Sequence, residues 1–207
     1  IAQKAGLAGA NSHAAQVRVN NAKRATTGNG MLGAYAANEE PNSEWASEHF
    51  PLDDAGNIYR VARDIPPANF VWRGPNATTY TNTYFKGDNS SAFDWSDIVQ
   101  LHRIVGTNDL FTTANVRQVA NVEQWCIYFA VMSLFGNNET SPNTGYNDDY
   151  SMYRGVNDPR FILMYFDNDT ILSDSIYGAR STSDGIFSAE ANNGMGAMTM
   201  RFLEWPD

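Results

Sequence analysis

The chain has 207 residues, of which 43% are hydrophobic and 13% aromatic, enough to bury the core of one globular domain. Its formal net charge is -9 and its pI is near 4.7. Because its lysines and arginines are also scattered, nucleic acid is excluded as the main partner. No apolar run is long enough to predict membrane insertion. The chain begins at Ile1 rather than Met, so we expect a cleaved or trimmed N-terminus.

The cysteine and histidine content narrows the chemistry further. A single cysteine, Cys126, excludes an internal disulfide framework. It lies in an apolar helical pattern, where we expect a buried small hydrophobe. A nucleophilic cysteine needs a nearby base, and the three histidines are distant from Cys126 in sequence. So few histidines and cysteines also argue against a zinc site of the usual ligand types.

The first third of the chain predicts a hairpin followed by a short helix and a strand. Apolar runs at 17–19 and 31–37 flank a polar, glycine-bearing segment that is typical of a hairpin loop. The segment 43–50 predicts a helix that Ser43 caps. Residues 58–62 predict the next strand.

A clear amphipathic helix is predicted over 94–105. Apolar side chains recur there at helical spacing. Asp94 is the candidate N-cap, and Gly106 is expected to end the helix. His102 lies beside the apolar stripe, where a partly buried core histidine is expected rather than a ligand.

The most hydrophobic segment, 121–135, predicts the central helix. Apolar residues occur all around it, which is typical of a helix enclosed by the rest of a domain. Asn121 and Gln124 have the spacing of a capping box, and Gly136 is expected to end the helix.

Two apolar runs beyond this helix predict an antiparallel hairpin. The runs at 150–153 and 161–166 are rich in aromatic and large aliphatic residues. The segment 155–159 between them contains Gly, Asn, Asp and Pro, which favour a turn. Folding the chain at that turn brings the far ends of the two runs together.

Acidic residues flank that far end. The hairpin places Asp148 or Asp149 opposite Asp167, and alternation along a strand puts Asp167 and Asp169 on one face. Glu139 precedes them in the loop after the central helix. Like charges that close cost free energy unless a cation or a proton compensates, and carboxylate oxygens suit Mg²⁺ or Ca²⁺. The alternative is a polar hairpin end with solvated acids.

Three segments around this hairpin carry a family signature. They read Phe-Gly-Asn-Asn-Glu-Thr at 135–140, Asn-Asp-Asp-Tyr-Ser-Met-Tyr-Arg-Gly at 147–155 and Arg-Phe-Ile-Leu-Met-Tyr-Phe-Asp-Asn-Asp-Thr at 160–170. Together they resemble the spore coat protein H (CotH) kinase-like family. Shorter upstream pieces occur in the expected order, so the resemblance covers most of the chain. The upstream pieces are 4–7, 31–35 with Glu39 and Glu40, 54–59 and 94–98.

The resemblance implies an α+β, atypical protein-kinase-like fold with antiparallel hairpins and a central hydrophobic helix. It implies a single domain over 1–207 that lacks both ends of the usual domain. The implied activity is a transferase reaction in which ATP and Mg²⁺ or Mn²⁺ serve to phosphorylate Ser or Thr of an extracellular or surface protein. The resemblance also implies a secreted or cell-surface protein. In bacteria, domains of this family are often joined to other extracellular modules.

The resemblance also implies roles for the acidic residues. In the family, an acidic residue after the central helix acts like the catalytic Asp of protein kinases, and the first Asp of an Asp-x-Asp after the second strand binds metal. These correspond to Glu139 and Asp167. Asp148 or Asp149 takes the place of the metal-binding Asn that follows the catalytic residue in protein kinases. We favour Asp149, both as a catalytic residue and as a metal ligand. Asp169 is the further metal ligand.

Two positions differ from the family pattern. Glu139 stands where Asp is usual, and its additional methylene moves the carboxylate by more than about 1 Å, which matters for positioning. Arg60 stands where Lys is expected after the strand segment 57–59. An arginine there still has the chemistry to contact nucleotide phosphates.

The competing interpretation is a non-catalytic extracellular module for structure, assembly or adhesion, whose acidic cluster binds Ca²⁺. Self-assembly of this chain stays open under that interpretation. A nucleotide-sized cleft that faces Glu139 and Asp167 would favour the kinase instead. An extracellular protein also suits the Asn-x-Ser/Thr sequons. They begin at Asn76, Asn89, Asn138 and Asn168.

Overall fold

The computed structural model describes residues 1–15, 17, 35–61, 66–137, 139–145, 148–168, 171 and 198–203. Its strands are β1 (Ser12–Ala15), β2 (Tyr35–Asn38), β3 (Asn57–Val61), β4 (Tyr84–Lys86), β5 (Tyr150–Arg154) and β6 (Ile162–Tyr165). Its helices are α1 (Ser43–His49), α2 (Thr78–Thr81), α3 (Ser96–Val105), α4 (Thr113–Val119), α5 (Val122–Phe135), α6 (Ser141–Thr144) and α7 (Met198–Leu203). None of the helices in this part of the chain has the length and hydrophobicity that a membrane span requires.

A four-stranded antiparallel sheet with the order β4–β3–β5–β6 forms the centre of the fold. One face of it packs on α3 and α5 around a large aromatic core, and the other face packs on α1 through a smaller cluster. A separate two-stranded sheet pairs β1 with β2. Helices packed on antiparallel sheets confirm the predicted α+β class.

The predicted acidic hairpin is confirmed. Strands β5 and β6 pair antiparallel, with Tyr150 opposite Tyr165 and Tyr153 opposite Ile162. Strand β5 also pairs with β3 on its other side, so β5 lies inside the sheet and β6 forms its edge. The open end of the hairpin carries the acidic residues.

The central helix is confirmed as α5, but its exposure differs from the prediction. Asn121 caps it by accepting a hydrogen bond from the Gln124 backbone, and Gly136 ends it at φ 64°. Trp125 is fully buried, whereas Cys126 is exposed, so the expectation of a buried cysteine is wrong. The cause is geometric: among the described residues, α5 packs on the sheet with one side only, and Cys126 lies on the other.

The side chain of Gln124 does not complete the expected capping box. Its Oε1 accepts from the Leu163 backbone N–H at 2.9 Å, and its Nε2 donates to the Leu163 carbonyl at 2.6 Å. Strand β6 lies at the edge of the sheet, so its outward backbone groups need partners. Gln124 supplies both partners at that position and fixes α5 against the hairpin.

The N-terminal region differs in detail from its prediction. The described first strand of the hairpin is Ser12–Ala15. Of the predicted strand 17–19, Val17 lies outside this strand, and 18–19 lie outside the described residues. Glu39 fixes the base of this hairpin, because its carboxylate accepts from the Asn11 backbone and side chain at 2.9 and 2.8 Å. Helix α1 is capped by Asn42, whose Oδ1 accepts from the Trp45 N–H at 3.0 Å, and not by Ser43.

Helix α3 begins two residues later than predicted. Asp94 Oδ1 still accepts from the Ser96 N–H at 2.9 Å, and Gly106 follows the last turn. His102 is fully buried, with its ring nitrogens beside the Tyr84 hydroxyl at 3.1 Å and the Val71 carbonyl at 3.3 Å. Burial lowers the pKa of His102 to about 3, which keeps it a neutral core residue.

Asp53 anchors the closed end of the β5–β6 hairpin. Its carboxylate accepts backbone N–H bonds from Val156 and Asn157, each at 2.8 Å, and from Asp158 at 3.0 Å. Gly155 lies so close that a Cβ there would be 1.8 Å from Asp53 Oδ2. Burial raises the pKa of Asp53, but the three backbone bonds outweigh it and leave the pKa below its usual value.

We expect Asp53→Ala to lower the free energy of unfolding by about 1–3 kcal/mol, because three backbone donors lose a charged acceptor. Gly155→Ala should also destabilise, through the clash with Asp53. Urea unfolding followed by circular dichroism measures both effects. Asp109→Ala, at an exposed position, is the control and should change little. Equal stability of Asp53→Ala and this control would contradict the anchor.

Candidate active site

The turn after α5 positions Glu139. Gly136 adopts a left-handed conformation, and the Asn137 N–H donates back to the Met132 carbonyl at 3.1 Å. The Asn137 Oδ1 then accepts from the backbone N–H groups of Glu139 at 2.9 Å and Thr140 at 3.2 Å. A buried amide therefore fixes the backbone that carries Glu139.

The same amide joins this turn to the end of β6. Asn137 Nδ2 donates to Asn168 Oδ1 at 2.8 Å. Sequence reasoning missed Asn137 as a site residue. Its position directly after a helix-ending glycine is the signal that could have identified it, since polar residues there often satisfy free backbone groups.

The structure brings four of the predicted acidic residues together. The Asp149 N–H donates to the Glu139 carbonyl at 3.1 Å, and the two side chains are hydrogen-bonded. Continuing the register of Tyr150 opposite Tyr165 by two residues places Asp148 opposite Asp167. Burial, and then the charges of Glu139, Asp148 and Asp167, raise the pKa of Asp149 to about 8.

Asp167 begins the segment after β6 in an unusual conformation. Its φ is 48°, in the left-handed region that few non-glycine residues adopt, although Asp tolerates it better than most. Its side chain is exposed and lines a cavity. The backbone therefore turns sharply at the residue that the sequence predicts as the first metal ligand.

The donor set suits a divalent cation chemically, because carboxylate oxygens are the ligands that Mg²⁺, Mn²⁺ and Ca²⁺ prefer. Burial and the neighbouring acids both raise the pKa of Asp149, and a cation beside it would act in the opposite direction. In the described residues, however, no three acidic, histidine or cysteine side chains are grouped closely enough to hold a metal ion alone. Asp169, the other predicted ligand, lies outside the described residues.

An open cleft of about 410 Å³ adjoins the acidic cluster. Its walls come from the β1–β2 hairpin on one side and from the end of β6 on the other. A second cavity of about 390 Å³ shares Ala10, Ser12 and Tyr165 with it. Both volumes fall within the range of small-molecule sites. The first cleft is lined by Ala10, Ser12, Ala36, Asn38, Tyr165, Phe166, Asp167 and Asn168.

The structure places Arg60 beside the site rather than in the cleft. Its guanidinium forms an ion pair with Glu40 and lies 5.2 Å from the centroid of the Phe166 ring. Burial lowers the pKa of Arg60 from its ordinary value, although an arginine remains charged. Arg60 is not among the residues that line either of the two cavities.

Comparison with known proteins gives one family. The family model described as CotH kinase protein matches residues 1–204 of the 207. That match spans the four grouped acidic residues and both walls of the cleft. A comparison with curated proteins finds no match.

The raised pKa of Asp149 predicts a pH dependence of stability. The folded protein holds this proton up to about pH 8, whereas an unfolded aspartate releases it near pH 3.9. Between those values the folded state binds the extra proton, so wild-type stability falls as pH rises. We therefore expect Asp149→Asn, which stays neutral, to become more stable than wild type as pH increases from about 4 to 8.

Thermal melts in a chelator at several pH values measure this difference. The melting temperatures of wild type and Asp149→Asn should be close near pH 4 and should separate progressively up to about pH 8. Asp109→Asn, at an exposed site, should follow wild type throughout. Parallel curves for Asp149→Asn and wild type would contradict the raised pKa of Asp149.

Proposed function

The chain belongs to the CotH kinase family, and from that premise we propose that it is a protein kinase that uses ATP and a divalent metal. It transfers a phosphoryl group to Ser or Thr of an extracellular or surface protein, and the chain itself is secreted or held at the cell surface. One observation carries the proposal: a cleft of nucleotide-site size is lined by Asp167, whose charge acts on Asp149, the hydrogen-bonded partner of Glu139.

The cleft supports ATP as the co-substrate. It combines apolar surface from Ala36, Tyr165 and Phe166 with polar groups at Ser12, Asn38 and Asn168. Nucleotide sites have this mixture, because the base packs on apolar side chains while ribose and phosphates need polar partners. The acidic end of the cleft suits phosphates only when a cation accompanies them, which links ATP binding to metal binding.

Asp167 and Asp149 are the residues that would hold the metal, with Asp169 as a further predicted ligand. Since the described carboxylates do not form a complete site by themselves, phosphate oxygens would supply the remaining ligands, as Mg²⁺ sites in kinases commonly require. A bound cation would neutralise charge on the phosphates during transfer. Asp149 would have to give up its proton for this role.

Glu139 would orient the attacking hydroxyl. In the proposed step the substrate oxygen bonds to the γ-phosphorus, the bond to the β-phosphate oxygen breaks, ADP leaves, and the hydroxyl proton passes to the Glu139 carboxylate. The Asn137 amide holds the Glu139 backbone by a 2.9 Å hydrogen bond. This rigid support would offset part of the positional freedom that the longer glutamate side chain brings.

A non-catalytic module with structural Ca²⁺ is the second candidate. Calcium sites in proteins usually take six or more oxygen ligands. Among the described residues the acidic side chains do not form even a three-ligand group. A cluster completed by nucleotide phosphates fits this arrangement better, so the kinase is the first proposal. Binding of Ca²⁺ without nucleotide binding would reverse that order.

Blocking the cleft should abolish nucleotide binding. We expect Ala36→Trp to raise the Kd of an ATP analogue with Mg²⁺ or Mn²⁺ at least about tenfold, since the indole would occupy the cleft. Isothermal titration calorimetry measures this. Ala92→Trp, at an exposed residue that does not line the cleft, should bind like wild type. The proposal fails if wild-type protein binds nucleotide with neither metal.

Removing the acidic groups should abolish phosphoryl transfer. With a generic Ser/Thr substrate or by autophosphorylation, we expect Asp167→Ala to reduce the rate at least about 100-fold, as loss of a metal ligand does. Glu139→Gln should reduce it by about 10²–10⁴-fold, the range for removal of a general base. Asp109→Ala should retain full activity. Activity in Asp167→Ala equal to wild type would refute the site assignment.

A further inference from the structure

Arg60 has a fixed base. It lies on β3, which is hydrogen-bonded on both sides, with Phe85 of β4 and Ser151 of β5 as its direct neighbours. A residue in the middle of a sheet has little backbone freedom. Its side chain is 24% exposed, whereas that of its ion-pair partner Glu40 is 62% exposed. Glu40 therefore orients the guanidinium from the solvent side but contributes little stability by itself.

The sheet register directs Arg60 toward the end of β6. Ser151 pairs with Arg60 on one side and with Met164 on the other, so the three share one sheet face. Phe166 follows Met164 by two residues and continues on that face. The Arg60 guanidinium lies over the Phe166 ring at 5.2 Å from its centroid, within the distance of a cation–π contact.

Phe166 is the residue directly before Asp167, whose left-handed backbone at φ 48° needs support from its surroundings. On the far side of Asp167, Asn168 accepts a 2.8 Å hydrogen bond from the Asn137 amide. Both neighbours of this exposed aspartate are thus anchored, one through Arg60 and the other through Asn137. The two anchors come from elements that are distant in sequence.

We propose that Arg60 is a positioning residue, which holds Phe166 and thereby fixes the turn that presents the Asp167 carboxylate to the cleft. This inference rests on the proposed function for its catalytic consequence, but the conformational effect stands apart from it. The positioning role differs from a direct contact between Arg60 and nucleotide phosphates. A direct contact would change the affinity for ATP and would not depend on Phe166.

Four variants test the proposal: Arg60→Met, Arg60→Lys, Phe166→Leu and the double variant Arg60→Met/Phe166→Leu. Hydrogen–deuterium exchange of the peptide that contains 162–168 reports the turn without any need for activity. We expect Arg60→Met and Phe166→Leu each to raise exchange at Asp167 and Asn168 by about 2- to 30-fold, the range that loss of a cation–π contact supports. Arg60→Lys should recover part of the protection.

Coupling separates positioning from simple destabilisation. Because both single variants remove the same contact, the double variant should exchange little faster than either one. Arg103→Met, on an exposed position of α3, should leave exchange unchanged. If Arg60→Met unfolds the chain, Phe166→Leu carries the same test. Unchanged exchange in folded Arg60→Met and Phe166→Leu overturns the proposal.

Kinetics supply the second readout. We expect Arg60→Met to lower kcat and to raise the Mg²⁺ concentration for half-maximal rate, with the KM for ATP within about twofold of wild type. Phe166→Leu also alters the wall of the cleft, so only its lower kcat is compared. A KM for ATP that rises at least about tenfold in Arg60→Met alone would assign Arg60 to phosphate binding and overturn the positioning role. Wild type without nucleotide binding would refute the proposed function but leave the exchange test intact.

Discussion

Burial of Asp149 among three other acidic residues, at the open end of the β5–β6 hairpin, is the constraint on which the candidate site depends. Burial and three neighbouring acids raise the pKa of Asp149 to about 8, so the folded protein keeps a proton there that an isolated aspartate would release. Such a cluster needs a rigid frame, because free side chains would move apart. The frame comes from strand pairing on both sides of β5 and from the buried Asn137 amide.

Polar side chains buried or half-buried around the hairpin supply that rigidity at defined points. Asp53 binds three backbone N–H groups of its closed turn. Gln124 satisfies both backbone groups of Leu163 on the outer edge of β6. Each contact satisfies backbone groups that would otherwise require water. Moving the hairpin would break these hydrogen bonds and cost free energy. The open end is consequently the part left available for chemistry.

Glu139, for which we propose the role of the catalytic acidic residue, has support at both its backbone and its side chain. Glu139 reaches the Asp149 side chain while its own N–H is held by Asn137. The acid thus has a fixed backbone and a partner carboxyl group. A nucleotide and its cation, entering from the cleft between the two sheets, would exchange this proton-sharing arrangement for a charge-neutralising one. The cleft and the cluster adjoin at Asp167.

The sequence by itself determined the local elements and the grouping of acids. Turn residues between two apolar runs specified the β5–β6 hairpin, and its antiparallel pairing brought Asp148 and Asp149 to Asp167. A strongly apolar segment ended by Gly136 specified α5. These predictions rest on short-range rules of turns, strands and caps. The tertiary structure decided what lies far apart in the chain: the exposed side of α5 with Cys126, the use of Gln124 by β6, and the placement of Arg60 on Phe166. Local patterns fix which residues are apolar or polar, but which partner satisfies each of them depends on how the elements pack.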